Sequence, residues 1–331
     1  MPRAPGLDPV HGGTDSMPEP RYDFSSNANP LGPCPSVLAA VRSADVTRYP
    51  DPMYAKLRET LAAHHHTTPD RIVVGAGASE LILRLIRHID GPVQQLVPTF
   101  SEYARGARLA GRRLISARSP GAFLRAQSTN PGLGFVCWPN NPTGDLWSAD
   151  FVAAASTAGP LVVDMAYAPL CEAHHAAAIE AAAAASYRLY SPNKAFGLTG
   201  VRGAYLITPQ ADRRLAAVAP SWVIGRDAVA LLESATEPQA RTWLDQGMPQ
   251  LKRWRARLAR SLEQLGLSVR ESPATFLLAN VGNATLVTAH LRHHDVRVRD
   301  GSSFGLRQWI RLSAQPPGAQ RALLTALKSA L

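Results

Sequence analysis

Ser191-Pro192-Asn193-Lys194-Ala195-Phe196-Gly197-Leu198-Thr199-Gly200-Val201-Arg202 sets a lysine three residues after a serine and eight before an arginine, with glycines between. A lysine amine condenses with an aldehyde to an imine, while a serine hydroxyl and a guanidinium can hold a phosphate. The combination suits an aldehyde cofactor that carries a phosphate, and pyridoxal 5'-phosphate is the obvious one. Lysines beside glycines are also common on surface turns. The segment therefore takes its weight from what the rest of the chain supplies.

Outward from it, Tyr187-Arg188-Leu189-Tyr190 and Ala204-Tyr205-Leu206-Ile207 read as short strands. Others are predicted at Ile72-Val73-Val74, Gln95-Leu96-Val97, Phe135-Val136-Cys137-Trp138 and Leu161-Val162-Val163, with helices over 35–43, 54–64, 79–88 and the Ala-rich 176–185. Short apolar strands separated by helices make an α/β unit with a mostly parallel sheet, whose ligand sites lie past the strand ends. A turn near Pro220 and a long helix to Leu265, stopped by Gly266, lead out of that unit. Strands at 267–269, 275–278 and 309–312 around a helix over 284–293 predict a small α+β domain, completed by the N-terminal segment. The expected division is 1–45, 46–215 for the large domain, and 216–331 for the interdomain helix and small domain. The stretch through about Pro20, rich in Pro, Gly and Asp, is expected to be extended or partly disordered.

Four constellations fall at these strand ends. Gly75-Ala76-Gly77-Ala78-Ser79-Glu80 joins a strand to a helix start, where backbone N–H groups and the Ser79 hydroxyl can meet an anion. It lacks both a dinucleotide fingerprint and a GK[ST] ending, and could be only a tight connection. Trp138-Pro139-Asn140-Asn141-Pro142-Thr143-Gly144 could be a turn, or could present Asn141 to a cofactor's phenolic oxygen. Leu161-Val162-Val163-Asp164-Met165-Ala166-Tyr167 ends an apolar strand on an acid, costly unless paired; Asp164 would cap a helix or face a protonated pyridine nitrogen, with Tyr167 beside it. Arg299-Asp300 and Arg311-Leu312-Ser313 offer guanidinium forks for a carboxylate or phosphate.

The whole chain sets outer bounds. Its 331 residues suffice for a large core, and 46% hydrophobic with 18% charged residues is ordinary for a folded soluble protein. Cys34, Cys137 and Cys171, odd in number and scattered, suggest reduced thiols in a cytoplasmic protein. No apolar run approaches membrane-spanning length and no secretory start is legible. The formal charge of +10 raises nucleic-acid binding, but the arginines are dispersed. The densest cluster, Lys252, Arg253, Arg255, Arg257 and Arg260, interleaves with the stripe Leu251, Trp254, Leu258, Leu262 and Leu265, as on a solvated helix face. Neither a nucleic-acid partner nor a metal is expected.

Taken together, Asn141-Pro142-Thr143-Gly144, Asp164 with Tyr167, Ser191 with Lys194, and Arg202 resemble the aspartate-aminotransferase superfamily, fold type I of the pyridoxal-phosphate enzymes, over nearly the whole chain. The resemblance implies that fold, with a mostly parallel seven-stranded large-domain sheet. It implies Lys194 as the covalent anchor of the cofactor and Asp164 on the ring nitrogen. Asn141 and Tyr167 would serve the phenolic oxygen, and Ser79, Ser191, Arg202 and the Ala78 backbone the phosphate. Phe100 falls where this family stacks an aromatic ring, and Arg311 where it binds the substrate carboxylate. Tyr49 in Arg48-Tyr49-Pro50 matches a tyrosine lent to the neighbouring subunit, which implies a homodimer with composite sites.

The segments from Asp23 through Asn29, Gly32 and Pro33, and Tyr49-Pro50-Asp51-Pro52, resemble both histidinol-phosphate aminotransferases and the L-threonine O-3-phosphate decarboxylases of cobalamin biosynthesis. His11-Gly12-Gly13, Ala28 in place of a glutamate, and Val298 through Leu306 look like the decarboxylase group. Phosphothreonine decarboxylation is therefore the leading expectation and histidinol-phosphate transamination the alternative. Substrate contacts are expected from Arg311, Arg299, His11, Asn29 and Gly32. Ala76 and Pro192-Asn193 depart from both groups without removing a group that imine formation needs. A regulator built on this fold would need an attached DNA-binding domain, for which the residues before Arg48 leave no expected room.

Overall fold

The computed structural model describes residues 12–171 and 173–330. Seven strands form the large sheet in the order Ile72–Gly75, Ala204–Ile207, Tyr187–Tyr190, Leu161–Asp164, Leu133–Cys137, Val93–Leu96, Leu114–Ala117. All neighbours run parallel except Ala204–Ile207, which is antiparallel to both of its own. Apolar runs become strands here because both faces are covered. Val162, Leu189 and Leu206 pack into one buried cluster, and the alternating Leu161, Val163, Tyr190 and Ile207 into another on the opposite face.

The sheet has the expected α/β character and strand number, with differences in detail. The strand expected at 95–97 runs instead over Val93–Leu96. The amide N–H groups of its two buried glutamines find acceptors: Gln94 donates to the Asn130 carbonyl at 2.7 Å and Gln95 to Ser116 Oγ at 3.0 Å. The edge strand Leu114–Ala117 was not expected, because it is mostly half-buried or exposed and carries no apolar run. The long helix is two: Arg226–Ser234, then Pro238–Glu263 with its first proline in the opening turn.

Beyond it, a four-stranded antiparallel sheet in the order Arg299–Asp300, Trp309–Ser313, Phe276–Asn280, Val269–Arg270 carries the helices Ala284–His293 and Pro317–Lys328. Leu258, Leu262, Leu277, Ile310, Leu312 and Leu323 form its core, joined by Phe24 from the N-terminal segment. That segment returns to the same region through Tyr22–Asp23, paired in parallel with Val296–Arg297. Ahead of it, Asp15 meets Arg292 at 2.9 Å and Arg297 at 3.5 Å, while Glu19 meets Arg297 at 3.3 Å. Residues 12–20 thus have no regular structure but are held by ion pairs. Among the described residues no helix is long and apolar enough to cross a membrane, and no cluster of acids, histidines and cysteines is placed to hold a metal.

Candidate active site

A cavity of about 460 Å³ opens past the carboxyl ends of the central strands, where the large sheet meets the small one. Lys194, Asp164, Tyr167, Asn141, Phe100, Ala78, Ser79, Ser191, Arg202, Arg299 and Arg311 all line it. Residues as far apart in the chain as Gly12 and Arg311 are thereby brought to one space.

Each comes from a local reason. Asp164 is the last residue of a fully buried strand and is register partner to Cys137 on one side and Leu189 on the other. Burial pushes its carboxyl up, opposed by hydrogen bonds from Tyr103 and the Ala166 amide and by the charge of Lys194. Tyr103 Oη donates to Asp164 Oδ2 at 2.8 Å and the Ala166 N–H to Oδ1 at 3.1 Å. Lys194 Nζ lies 5.4 Å from the centre of the Tyr167 ring. Ser79 sits in the first turn of Ala78–His88, a helix preceded by Gly77 at φ +94°. A side chain at Gly77 would strike the Arg202 guanidinium, so the glycine lets Arg202 close over that helix start. Ser191 donates to Asn193 Oδ1 at 3.1 Å, and Asn193 Nδ2 reaches the Val201 carbonyl at 3.4 Å. The unusual Asn193 is thus the staple that fixes the loop between Ser191 and Arg202.

The small sheet contributes two guanidiniums. Arg299 and Arg311 are register partners on adjacent antiparallel strands, and both are buried. Burial, and then Arg311, bring Arg299 down to about 10, while burial lowers Arg311 as well. Arg311 Nη1 donates to Asn141 Oδ1, and its Nη2 to the Ser25 carbonyl at 2.6 Å. Arg299 Nη2 donates to Ser303 Oγ at 2.6 Å and its guanidinium stands 4.8 Å over the Phe304 ring.

Some expected contacts lie elsewhere. Asn29 does not line the cavity: its Nδ2 donates to the Ala195 carbonyl at 2.9 Å and its N–H to the Lys194 carbonyl at 2.9 Å, behind the lysine. Gly32 also stands there, its carbonyl so close to Gly197 that a side chain on Gly197 would meet it at 2.6 Å. Both hold the lysine loop rather than facing the space in front of it. Tyr49 does not line the cavity of its own chain either. It is 73% exposed and stacked on Trp222, with ring centres 4.5 Å apart. His11 lies outside the described residues, but Gly12, Gly13 and Thr14 form part of the cavity wall, with the Gly13 N–H donating to Ser25 Oγ at 2.8 Å. Tyr103, Cys137, Asn193, Ser26, Thr199 and Phe304 belong to the site without having been singled out. Only Tyr103 had a usable signal, being one helical turn beyond Phe100.

These residues fit pyridoxal 5'-phosphate. A buried acid, an amine, a serine–arginine pocket at a helix start and a planar aromatic ring are the groups its ring nitrogen, aldehyde, phosphate and face require. The chain belongs to the class I and II aminotransferases, whose family pattern matches residues 20–329, and it is a pyridoxal-phosphate enzyme of fold type I. It is 30% identical over 326 residues to the histidinol-phosphate aminotransferase of Ruegeria pomeroyi, covering 92% of this chain and 90% of that one. Among solved structures it is similar to histidinol-phosphate aminotransferase from Sinorhizobium meliloti in complex with pyridoxal-5'-phosphate, with a TM-score of 0.85 and 25% identity over 94% of this chain and 91% of that one. L-threonine-O-3-phosphate decarboxylase from Porphyromonas gingivalis shares the fold, with a TM-score of 0.80 and 22% identity over 92% and 98%.

Proposed function

We propose that this enzyme moves an amino group from a small phosphorylated amine, with histidinol phosphate as donor and 2-oxoglutarate as acceptor. This reverses the order expected from the short sequence cues, in which decarboxylation led. The likeness to named histidinol-phosphate aminotransferases runs along the whole chain at 30% identity, whereas that to the decarboxylase is one of fold at 22%. The observation that carries the proposal is the buried pair Arg299 and Arg311 in the wall that also holds Lys194. Histidinol phosphate brings a phosphate and 2-oxoglutarate two carboxylates, and neighbouring guanidinium forks accept both.

The bound cofactor supplies a protonated pyridine ring that draws electrons from the substrate's Cα. Asp164 holds the proton on that ring nitrogen. Arg311 occupies Asn141 Oδ1, which leaves the Asn141 Nδ2 to donate to the phenolic oxygen together with Tyr167. Ser79, Ser191, Arg202 and the Ala78 N–H bind the cofactor phosphate, and Phe100 covers the ring. Lys194 would anchor the cofactor through its amine, and its Nζ, when free, would take the proton from the substrate's Cα. The domain division 1–45, 46–215 and 216–331 is proposed alongside, as is a homodimer in which Tyr49 reaches the partner's site. Val46, Tyr49, Met53 and Trp222 are large exposed apolar side chains, and Tyr49 stacks on Trp222.

A second reading, phosphothreonine decarboxylation, has one observation of its own: Gly12, Gly13 and Thr14, next to His11, form cavity wall. The reactions differ in which bond stands perpendicular to the ring, Cα–H or Cα–COO⁻. Purified enzyme offered histidinol phosphate with 2-oxoglutarate is expected to yield glutamate. Release of CO₂ and a phosphorylated aminopropanol from phosphothreonine, with no glutamate formed, would replace transamination by the second reading.

A further inference from the structure

The carboxylate of Asp164 has a partner that none of the assigned roles uses. Tyr103, on the helix Ser101–Leu109, is fully buried and extends its hydroxyl to Asp164 Oδ2 at 2.8 Å. Its ring is clamped: stacked on Phe135 with centres 4.6 Å apart and planes at 15°, and edge-on to Phe100 at 5.7 Å and 88°. The other oxygen, Oδ1, is held by the Ala166 N–H at 3.1 Å. Cys137, register partner of Asp164, closes the same corner and engages the Pro139 carbonyl through its thiol at 3.3 Å.

The geometry points to Tyr103 as a positioning residue that fixes the Asp164 carboxylate and keeps the shared proton on the cofactor's ring nitrogen rather than on Asp164. The inference rests on the proposed contact between Asp164 and that nitrogen. A buried carboxylate gains a proton readily, because desolvation penalises its charge. A hydrogen bond to the carboxylate makes it less basic, and the pyridine, competing for the same proton, retains it. The donor's neutrality matters. A lysine or arginine in that position would neutralise Asp164 and repel the pyridinium, whereas a phenol donates without adding charge. Burial and the neighbouring Asp164 both raise the Tyr103 phenol well above its ordinary value, so it remains a donor throughout the working pH range. Phe135 and Phe100 limit how far the ring can turn, and so aim the hydroxyl.

The test is Tyr103→Phe loaded with pyridoxal phosphate labelled with ¹⁵N in the ring and observed by NMR without substrate. The ring-nitrogen resonance is expected to move from the pyridinium position toward neutral pyridine. The kcat should fall about 10- to 100-fold with KM little changed, as for loss of one hydrogen bond to a charged group. A variant with 4-aminophenylalanine at this position, a weaker donor of the same shape, should give an intermediate shift and decides the matter should Tyr103→Phe not fold. An unshifted ¹⁵N resonance in whichever variant folds overturns the role of Tyr103. Asp164→Asn is run beside them: a nitrogen still protonated in that variant would refute the Asp164 contact itself, and with it the premise.

Discussion

Replacing Arg299 by glutamine tests the anion site most directly. Arg299 and Arg311 are register partners on neighbouring strands, both buried and both lining the cavity. Truncating the guanidinium of a buried, hydrogen-bonded guanidinium–phosphate pair costs about 2–5 kcal/mol. Part of that is returned here, because two adjacent cations repel. Arg311 is, after burial, the second cause that brings Arg299 down to about 10, so removing one of the two cations offsets part of the loss. A net loss of about 2–3 kcal/mol predicts a fall in kcat/KM of about 30- to 150-fold for histidinol phosphate. Steady-state kinetics with histidinol phosphate and with unphosphorylated histidinol separate binding of the phosphate from damage to the site. The second substrate should be affected less than about threefold if the guanidinium acts on the phosphate alone. Arg299 has no assigned contact with the cofactor, so the visible absorbance of the bound enzyme should be unchanged. Equal losses for both substrates, or none for the phosphorylated one, would refute the assignment.

Borohydride reduction of the native enzyme is expected to bleach the cofactor's visible band and leave the adduct on Lys194, read by peptide mass mapping; an adduct on another lysine would remove Lys194 from its role. Mixing Lys194→Ala subunits with Tyr49→Ala subunits should restore part of the activity if sites are composite, and a monomer of full activity by sedimentation would disprove that arrangement. His65 bears on acid stability. Its ring, bonded to Tyr205 Oη at 2.8 Å, is brought from 6.5 to about 3 by burial and by the nearby His64, Arg188, Arg241 and His66. The unfolded chain then takes up a proton that the folded one refuses, so stability is lost as pH falls below 6.5. At pH 5 this proton uptake alone costs about 2 kcal/mol, and urea unfolding of His65→Gln should show a shallower decline between pH 7 and pH 5 than the parent; parallel curves would show that His65 does not titrate this way.

What could be read before folding was chemistry carried by spacing within one segment. Ser191, Lys194 and Arg202 are tied by a single loop, and Asp164 ends an apolar run, so their meeting in one cavity needs only the α/β topology that the same runs announce. The strand Tyr187–Tyr190 and the helix Ala284–His293 were legible for the same reason, having local patterns with local ends. Asn29 shows the opposite case. Its sequence context points to the substrate, but its partner is the Ala195 carbonyl, 166 positions away, and that bond turns it to the back of the lysine. Tyr103 and Asp164 are 61 positions apart, and no periodicity links a helix residue to the acid of the third strand that follows it in the chain. The two-residue ladder Tyr22–Asp23 with Val296–Arg297 is likewise too short to have a pattern, and it is reinforced by contacts distant in sequence, Arg297 with Asp23, Asp15 and Glu19. The choice between the two reactions belongs to this second kind. On the proposed roles, it depends on where Arg299 and Arg311 would hold the substrate relative to Lys194, and thus on how the small sheet sits over the large one. Short motifs at 11–13, at Ala28 and at 298–306 point to decarboxylation, while likeness along the whole chain supports the proposed transamination, and it is the whole chain that sets that placement.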